Sequence, residues 1–163
     1  MRRRPNRFQG TIGNLLYRLQ SFEKNLTRIY LKEIVMGYES RIVEMVQLQM
    51  WSGRDGKEMG GNYGDVIRPF YVPSTVKYKK RKRQPFDRVT LKDKGLFYRG
   101  MRVYYNAREG FFVKSTDSKT PKLIDKYGAE IFRLNHDNFN KLVNIIRREL
   151  QIKVQQHFLG RKI

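Results

Sequence analysis

Cysteine is absent from this chain of 163 residues, and histidine occurs only twice. The chain therefore has no disulfide, no thiolate metal site and no cysteine nucleophile. His136 and His157 are predicted near opposite ends of one helix, too far apart to share a zinc ion at the rise of an α-helix. We expect neither a metal site nor a cofactor, and a chain without cysteine fits a reducing compartment.

Acidic residues are also scarce, with 15 Asp and Glu against 35 Lys and Arg, for a formal net charge of +20. This excess is larger than solubility requires, and it makes a compact body repel itself. We therefore expect the chain to work beside something negative. The candidates are nucleic acid, an acidic protein neighbour and an anionic membrane surface.

The few carboxylates offer little for catalysis. Asp55 with Glu58, or Asp125 with Glu130, could form the pair of a metal-dependent nuclease, but neither pair has the strand context or the positioned lysine. No Ser-His-Asp set, dinucleotide glycine fingerprint or phosphate loop occurs. We expect a protein that is not an enzyme. The nuclease alternative requires magnesium-dependent cutting that is lost on changing Asp55, Asp93 or Asp125.

Long apolar runs are missing too, since no stretch approaches the roughly 18 residues that span a bilayer. Residues 1–10 lack the apolar core of a signal peptide and are typical of a basic arm that orders on meeting a partner. The arginines of this arm are Arg2, Arg3, Arg4 and Arg7. We expect a soluble chain with no membrane partner, consisting of the arm and one domain over 11–163.

Two apolar stripes with helical spacing follow the arm. The first consists of Leu15, Leu19, Phe22, Leu26 and Ile29, and the second of Leu31, Val35, Tyr38, Ile42, Met45 and Gln49. The phase slips by two positions between them, near Gly37 or just before it, which predicts two helices or one bent helix. Both stripes are narrow, as in a helix that packs on one side of the chain's own core or pairs with another subunit.

A run of like charges interrupts the chain at 77–83 and includes one aromatic residue, Tyr78. Its basic residues are Lys77, Lys79, Lys80, Arg81, Lys82 and Arg83. Because packed like charges repel and are costly in a core, the run predicts a solvated loop or a contact with a polyanion. Contact with phosphate is blind to base sequence, and nothing here is suited to reading bases.

The most informative stretch begins at Pro85. It contains an extended run (Arg88–Leu91), a turn (Lys92–Gly95), an aromatic cluster (Leu96–Tyr98), an extended run (Met101–Tyr105), a loop (Asn106–Gly110) and a returning strand (Phe111–Ser115). Asp93 and Gly95 are turn residues, the first through its side-chain acceptor and the second through its freedom at positive φ. The last three segments predict a β-hairpin with a glycine-bearing loop.

Helical signals return after the hairpin. One or two turns over Lys122–Gly128 close at the glycine, and Asn135 or Asp137 can cap a last helix that ends at Gly160. The apolar face of that helix is Phe139, Leu142, Val143, Ile146, Leu150, Val154 and Phe158. The fold class predicted is α+β, with an N-terminal helix or helix pair, a small antiparallel sheet with a hairpin, and a C-terminal helix.

Four motifs in order carry a resemblance: Leu48–Lys57, Pro69-Phe70-Tyr71-x-x-x-Thr75, Val89–Phe97 and Lys122–Leu134. Together they resemble small structural proteins of tailed phages and prophages of Bacteroidetes hosts, including crAss-like phages. More distantly they are similar to virion-morphogenesis and minor-tail proteins of the head–tail joint. The residues that match the family's motif are Leu91, Asp93, Gly95, Phe97, Tyr127, Gly128, Ile131 and Phe132.

The resemblance implies a non-catalytic subunit of a ring at the head–tail connector, neck or tail joint. The expected location is the virion, with assembly in the host cytoplasm. The expected partners are further copies of the chain, the portal, other connector or tail rings, and packaged double-stranded DNA. In this hypothesis the arm and residues 77–83 face DNA or an acidic neighbour, while the helical stripes and the hairpin edge make subunit contacts. The rival is a nucleic-acid-binding protein without a virion role.

Overall fold

The computed structural model of the protein describes residues 11–56 and 63–159. The predicted arm over 1–10, Glu58 and Gly160 lie outside the described residues. In chain order the elements are α1 (Thr11–Asn25), a π-helical turn (Leu26–Tyr30), α2 (Leu31–Gly37), α3 (Glu39–Trp51), α4 (Pro73–Arg81), α5 (Leu96–Arg99), β1 (Met101–Asn106), β2 (Gly110–Ser115), α6 (Thr120–Tyr127), a 3-10 turn (Ala129–Phe132) and α7 (His136–Leu159).

The N-terminal helix is continuous from α1 to α2 but changes its winding at the π-helical turn. A π turn closes its hydrogen bonds over one residue more than an α turn, so it rotates the apolar stripe around the helix. The turn lies where the first stripe ends and the second begins, which places the phase slip several residues before Gly37. Tyr38 then interrupts the helix, and α3 starts at Glu39.

The core lies where α3 meets the hairpin and the C-terminal third of the chain. Three residues of α3, namely Ile42, Val46 and Met50, are fully buried. They belong to one apolar cluster with Val103 and Val113 from the hairpin. The cluster also contains Ile67, Val89, Phe97, Tyr98, Met101, Tyr127, Ile131, Phe132 and Leu142. Elements that are distant in sequence therefore share a single core.

The hairpin forms where it was predicted, but each strand is one residue longer and the loop is shortened to residues 107–109. Strands β1 and β2 are antiparallel, with Val103 opposite Val113 and Asn106 opposite Gly110. On the outer face, the rings of Tyr104 and Phe112 stack with centroids 5.4 Å apart. The prediction of an α+β chain with a small antiparallel sheet between helices is confirmed.

The predicted extended run at 88–91 does not become a strand, and residues 67–71 behave in the same way. Residues 88–91 form an irregular segment, and within 67–71 no strand forms, although Val66 makes a single bridge with Arg54. Both segments enter the core by one fully buried side chain, Val89 in the first and Ile67 in the second. A fully buried side chain thus does not require ladder pairing here.

The start of α7 is capped by Asn135, whose Oδ1 accepts the N–H of Asn138 at 2.9 Å. This is the predicted N-cap bond to the third helical residue. Asp137 instead pairs with Lys141 at 2.6 Å. Gly128 ends α6 at φ +85°, a conformation that glycine adopts without steric cost.

None of the helices within 11–56 and 63–159 combines the length and apolar character that a bilayer crossing needs.

Candidate functional site

The basic run is mostly helical, so the prediction of a loop was wrong. Helix α4 begins at Pro73 and ends at Arg81. Proline suits the first helical turn, because its φ is already helical and that turn needs no N–H donor. Lys79, Lys80 and Arg81 lie in the last turn, where the negative end of the helix dipole favours cations. Helical winding also points successive side chains in different directions, which separates their charges.

The end of α4 uses an arginine where glycine is usual. Arg83 has φ +52°, and its N–H donates to the carbonyl of Lys80 at 3.1 Å. The N–H of Gln84 donates to the carbonyl of Lys79 at 3.0 Å. This pair of bonds is a Schellman ending, which needs a left-handed residue at the Arg83 position. An L side chain there stores backbone strain.

Lys79 lies inside the protein, which corrects its prediction as a contact for a polyanion. The residue is only 5% exposed. Its Nζ donates to the carbonyl of Lys92 at 2.7 Å and to Oε1 of Gln84 at 3.3 Å, and lies 4.9 Å from the centre of the Tyr71 ring. These contacts replace the water that a buried ammonium loses. Lys79 therefore fastens α4 to the segment beneath it.

The other cations of the run remain on the surface. We call the exposed set the basic ridge: Lys77, Lys80, Arg81, Lys82 and Arg83. Aromatic rings support two of its members, with Lys80 Nζ 4.6 Å from the centre of the Phe86 ring and Lys82 Nζ 4.4 Å from that of Tyr78. The ridge is thus a local concentration of exposed positive charge on the last turns of α4 and its C-cap.

Asp93 ties the ridge to the turn below. Lys82 Nζ lies 2.6 Å from Asp93 Oδ1, and the Tyr78 hydroxyl donates to the same oxygen at 3.2 Å. The hydrogen bond from Lys82 is the main cause of a pKa of Asp93 below its usual value. The Gln84 side chain donates to the Asp93 carbonyl at 2.9 Å. Asp93 is therefore a structural anion, already paired.

The turn that follows has two residues in left-handed backbone. Leu91 has φ +53° and Gly95 has φ +82°. The glycine adopts this conformation freely, whereas the leucine is strained. Helix α5 then places Phe97 and Tyr98 in the core, and the Tyr98 hydroxyl donates to the carbonyl of Thr90 at 2.5 Å. Burial is the main cause of a raised pKa for Tyr98.

A cavity of about 220 Å³ opens beside this turn. It brings together five of the residues that carry the resemblance: Leu91, Asp93, Gly95, Phe97 and Tyr127. The other three lie behind or next to it. Gly128 ends α6, Ile131 is fully buried, and the Phe132 ring lies 5.6 Å from that of Phe97. Motif residues more than one element apart thus form one local structure.

The cavity also has lining residues that sequence reasoning missed as site residues. These are Tyr71, Lys92, Lys94, Leu96, Asp117, Lys119 and Leu123. Lys92 and Lys94 belong to the motif Val89–Phe97, so their position next to Asp93 could be predicted from the sequence. Nothing in the sequence places Lys119 there, because it follows the hairpin and reaches the turn only through the tertiary fold.

Of the two carboxylate pairs considered for a nuclease, the first includes Glu58, which lies outside the described residues. Asp55 is buried and its Oδ1 accepts the N–H of Asp65 at 3.2 Å, whereas Asp125 is exposed on α6. His157 is engaged with the Tyr30 hydroxyl at 3.1 Å. In the described part of the chain, no three His, Cys, Asp or Glu side chains lie close enough to hold a metal ion.

A second surface is apolar and belongs to α1. Leu15, Leu16, Tyr17 and Leu19 are all exposed, and Ile29 in the π-helical turn is exposed as well.

No family model, curated protein or solved structure matches this chain. Function is therefore inferred from these two surfaces, the cavity and the charge.

Proposed function

We propose that the chain is a structural subunit of a tailed bacteriophage particle, forming a ring at the head–tail connector, neck or tail joint. The observation that carries this proposal is the meeting of the motif residues Leu91, Asp93, Gly95, Phe97 and Tyr127 around one cavity beside the basic ridge. These residues carry the family resemblance and also lie around one cavity. This supports a common role for them in the phage assembly that the resemblance implies.

The exposed apolar stripe of α1 supports self-assembly. Leu15 is 50% exposed and Leu19 is 48% exposed, although their spacing is that of a packing face. Contiguous apolar surface on a helix favours contact with another protein. A ring repeats one contact around a closed axis, so a single such stripe serves every subunit.

The charge supports a negative environment for the ring. Two unit charges at contact distance repel by about 1 kcal/mol in water and about 4 kcal/mol near a protein surface. A ring would repeat the net charge of +20 in each subunit. Packaged DNA in a channel, or acidic neighbouring rings, would offset that repulsion, and the basic ridge is the described surface suited to them.

Imaging of intact particles of the phage that encodes the chain tests this proposal. The expected result is a symmetric collar between portal and tail that fits α3, the hairpin and α7. In parallel, the double variant Leu15→Asp with Leu19→Asp should abolish self-association in light scattering. Leu48→Asp, at an exposed position of α3, is the matched control. Absence of the chain from particles would sink the proposal.

The rival is a free nucleic-acid-binding protein, which the basic ridge specifically favours. Duplex binding driven by phosphate contacts weakens with salt in proportion to the phosphates neutralised. This rival would be favoured by a monomer that never assembles and binds duplex DNA at low salt. Removing one ridge cation should then reduce the slope of log K against log salt concentration by about 0.9.

A further inference from the structure

The cavity at the turn is too small for an ordinary cofactor. Its volume is about 220 Å³, whereas sites that enclose a small molecule usually measure about 300–1,000 Å³. Carbon-rich side chains line it, among them Leu91, Leu96, Phe97, Leu123 and Tyr127. The space and its lining suit one apolar side chain inserted from outside.

The cavity lining includes two exposed lysines, Lys94 and Lys119. Both carboxylates there are occupied within the chain: Asp93 by Lys82 and Tyr78, and Asp117 Oδ1 by the backbone N–H of Lys119 at 2.8 Å. Lys94 and Lys119 are exposed, and within the described residues their ammonium groups form no hydrogen bond or ion pair. The hydrogen bond from Lys82 and, more weakly, the charge of Lys119 lower the pKa of Asp93. Both lysines therefore line the apolar hollow with ammonium groups that can still donate hydrogen bonds.

We propose that this cavity binds an aromatic or leucine side chain from an acidic segment of a neighbouring protein, with Lys94 and Lys119 pairing with carboxylates on either side of it. The proposal deepens the proposed function, on which it rests for the existence of a neighbour. It assigns the turn to protein contact and leaves the basic ridge as the surface for phosphate. A buried apolar anchor within a charged rim is the usual build of a strong contact between proteins.

Duplex DNA fits this hollow poorly. Its bases are stacked and paired, so none is available to fill an apolar space unless it is flipped out at a cost of a few kcal/mol. A carboxylate segment, by contrast, can place its charges at the two lysines and its apolar residue between them.

The chain's own basic arm is also a poor occupant. Its aromatic residue, Phe8, follows Arg7 within an arm that carries four arginines and no acidic residue. Arginines beside the anchor would meet Lys94 and Lys119 with like charge, which is repulsive. Charge therefore favours a segment from a different protein.

Short peptides test the proposal on the full chain in solution. The probes are acetyl-Glu-Asp-X-Asp-Glu-amide, with X as Phe, Leu or Ala, and a peptide of residues 1–10. Binding is followed by methyl NMR of Leu91, Leu96 and Leu123. The Phe and Leu peptides should shift these methyl signals and bind about tenfold or more tightly than the Ala peptide, because one apolar side chain is buried.

Charge reversal at the rim provides the second arm of the test. Both lysines are exposed, so Lys94→Glu with Lys119→Glu should leave the fold intact. The double variant should bind the Phe peptide tenfold or more weakly than the unmodified chain. The matched control is Lys114→Glu with Lys122→Glu, two exposed lysines outside the cavity lining, with an expected change below threefold.

Several results overturn the proposal. They are methyl signals that no peptide shifts at millimolar concentration, equal binding of the 1–10 peptide, or shifts produced by a duplex oligonucleotide in place of the peptides. None of these depends on ring assembly. A chain that binds the Phe peptide but is absent from particles would keep this site and remove the virion role.

Discussion

Helices α1 and α3 carry apolar stripes of the same spacing, but only the stripe of α3 is buried. Ile42 in α3 is 0% exposed, whereas Leu15 and Leu19 in α1 are about half exposed. The difference lies in what covers them. Helix α3 packs against β1 and the 3-10 turn, while α1 meets the end of α7 through Arg18 and Phe22. Periodicity thus reveals an apolar face without revealing its partner.

The sharpest way to break this contrast is to truncate one residue on each helix. Ile42→Ala should lower the free energy of unfolding by about 2–5 kcal/mol, because it leaves a cavity in a closed core. Leu19→Ala should lower it by less than about 1 kcal/mol in dilute monomer, since the side chain is half exposed. Urea unfolding with an unchanged m-value measures both. Equal losses would mean that α1 belongs to the chain's own core.

The same contrast occurs in charge between two consecutive residues of α4. Lys79→Ala removes the donor to the Lys92 carbonyl and should lower the free energy of unfolding by about 1–3 kcal/mol. Lys80→Ala, its exposed neighbour, should change stability by less than about 0.5 kcal/mol while weakening binding to duplex DNA. Denaturation and fluorescence anisotropy separate the two effects. If Lys79→Ala left the stability unchanged and reduced the affinity for DNA, Lys79 would be an exposed DNA contact and its assignment to the interior would be wrong.

The ending of α4 offers a change in the opposite direction. Arg83→Gly should raise the free energy of unfolding by up to about 1 kcal/mol, because glycine adopts the left-handed backbone without steric cost. Arg81→Gly removes the same charge at the last residue of the helix and should lower the free energy of unfolding by up to about 1 kcal/mol. Thermal unfolding of the two variants is the measurement. Destabilisation by both would contradict the strained C-cap.

The smallest effect concerns the link between ridge and turn. The folded pKa of Asp93 lies below 3.8, so its pairing with Lys82 stabilises the fold above that pH and is lost as pH falls through the folded value. The Asp93 side chain is 39% exposed, so Asp93→Asn should cost less than about 1 kcal/mol at pH 7. Chemical denaturation at several pH values should show the difference shrinking in acid. A constant difference down to pH 2 would exclude this pairing as its cause.

Local signals were sufficient for much of the fold. The loop Asn106–Gly110 between two apolar runs predicted the hairpin, and Asn135 and Gly128 marked a helix start and a helix end. Each of these features depends on a residue's own backbone or on a partner a few positions away. Such information is present in a short window of sequence.

Long-range contacts account for what the sequence did not predict. The burial of Lys79 depends on a carbonyl at Lys92 and a ring at Tyr71, neither of which belongs to its helix. Like charges in the run argued for a loop, whereas the structure has a helix with one cation buried and the others exposed. Lys119 reaches the cavity only after the hairpin has folded back. No pattern within the run itself carries these partners.

The π-helical turn at Leu26–Tyr30 sets the direction in which the apolar face of α1 points relative to α2. Successive residues of an α-helix are about 100° apart around its axis, so deleting a single residue from that turn would swing α1 by more than a quarter of a circle relative to α2. In the proposed ring, a single-residue deletion in this turn would therefore redirect the apolar face of α1 while leaving the residues of α3 and the hairpin unchanged.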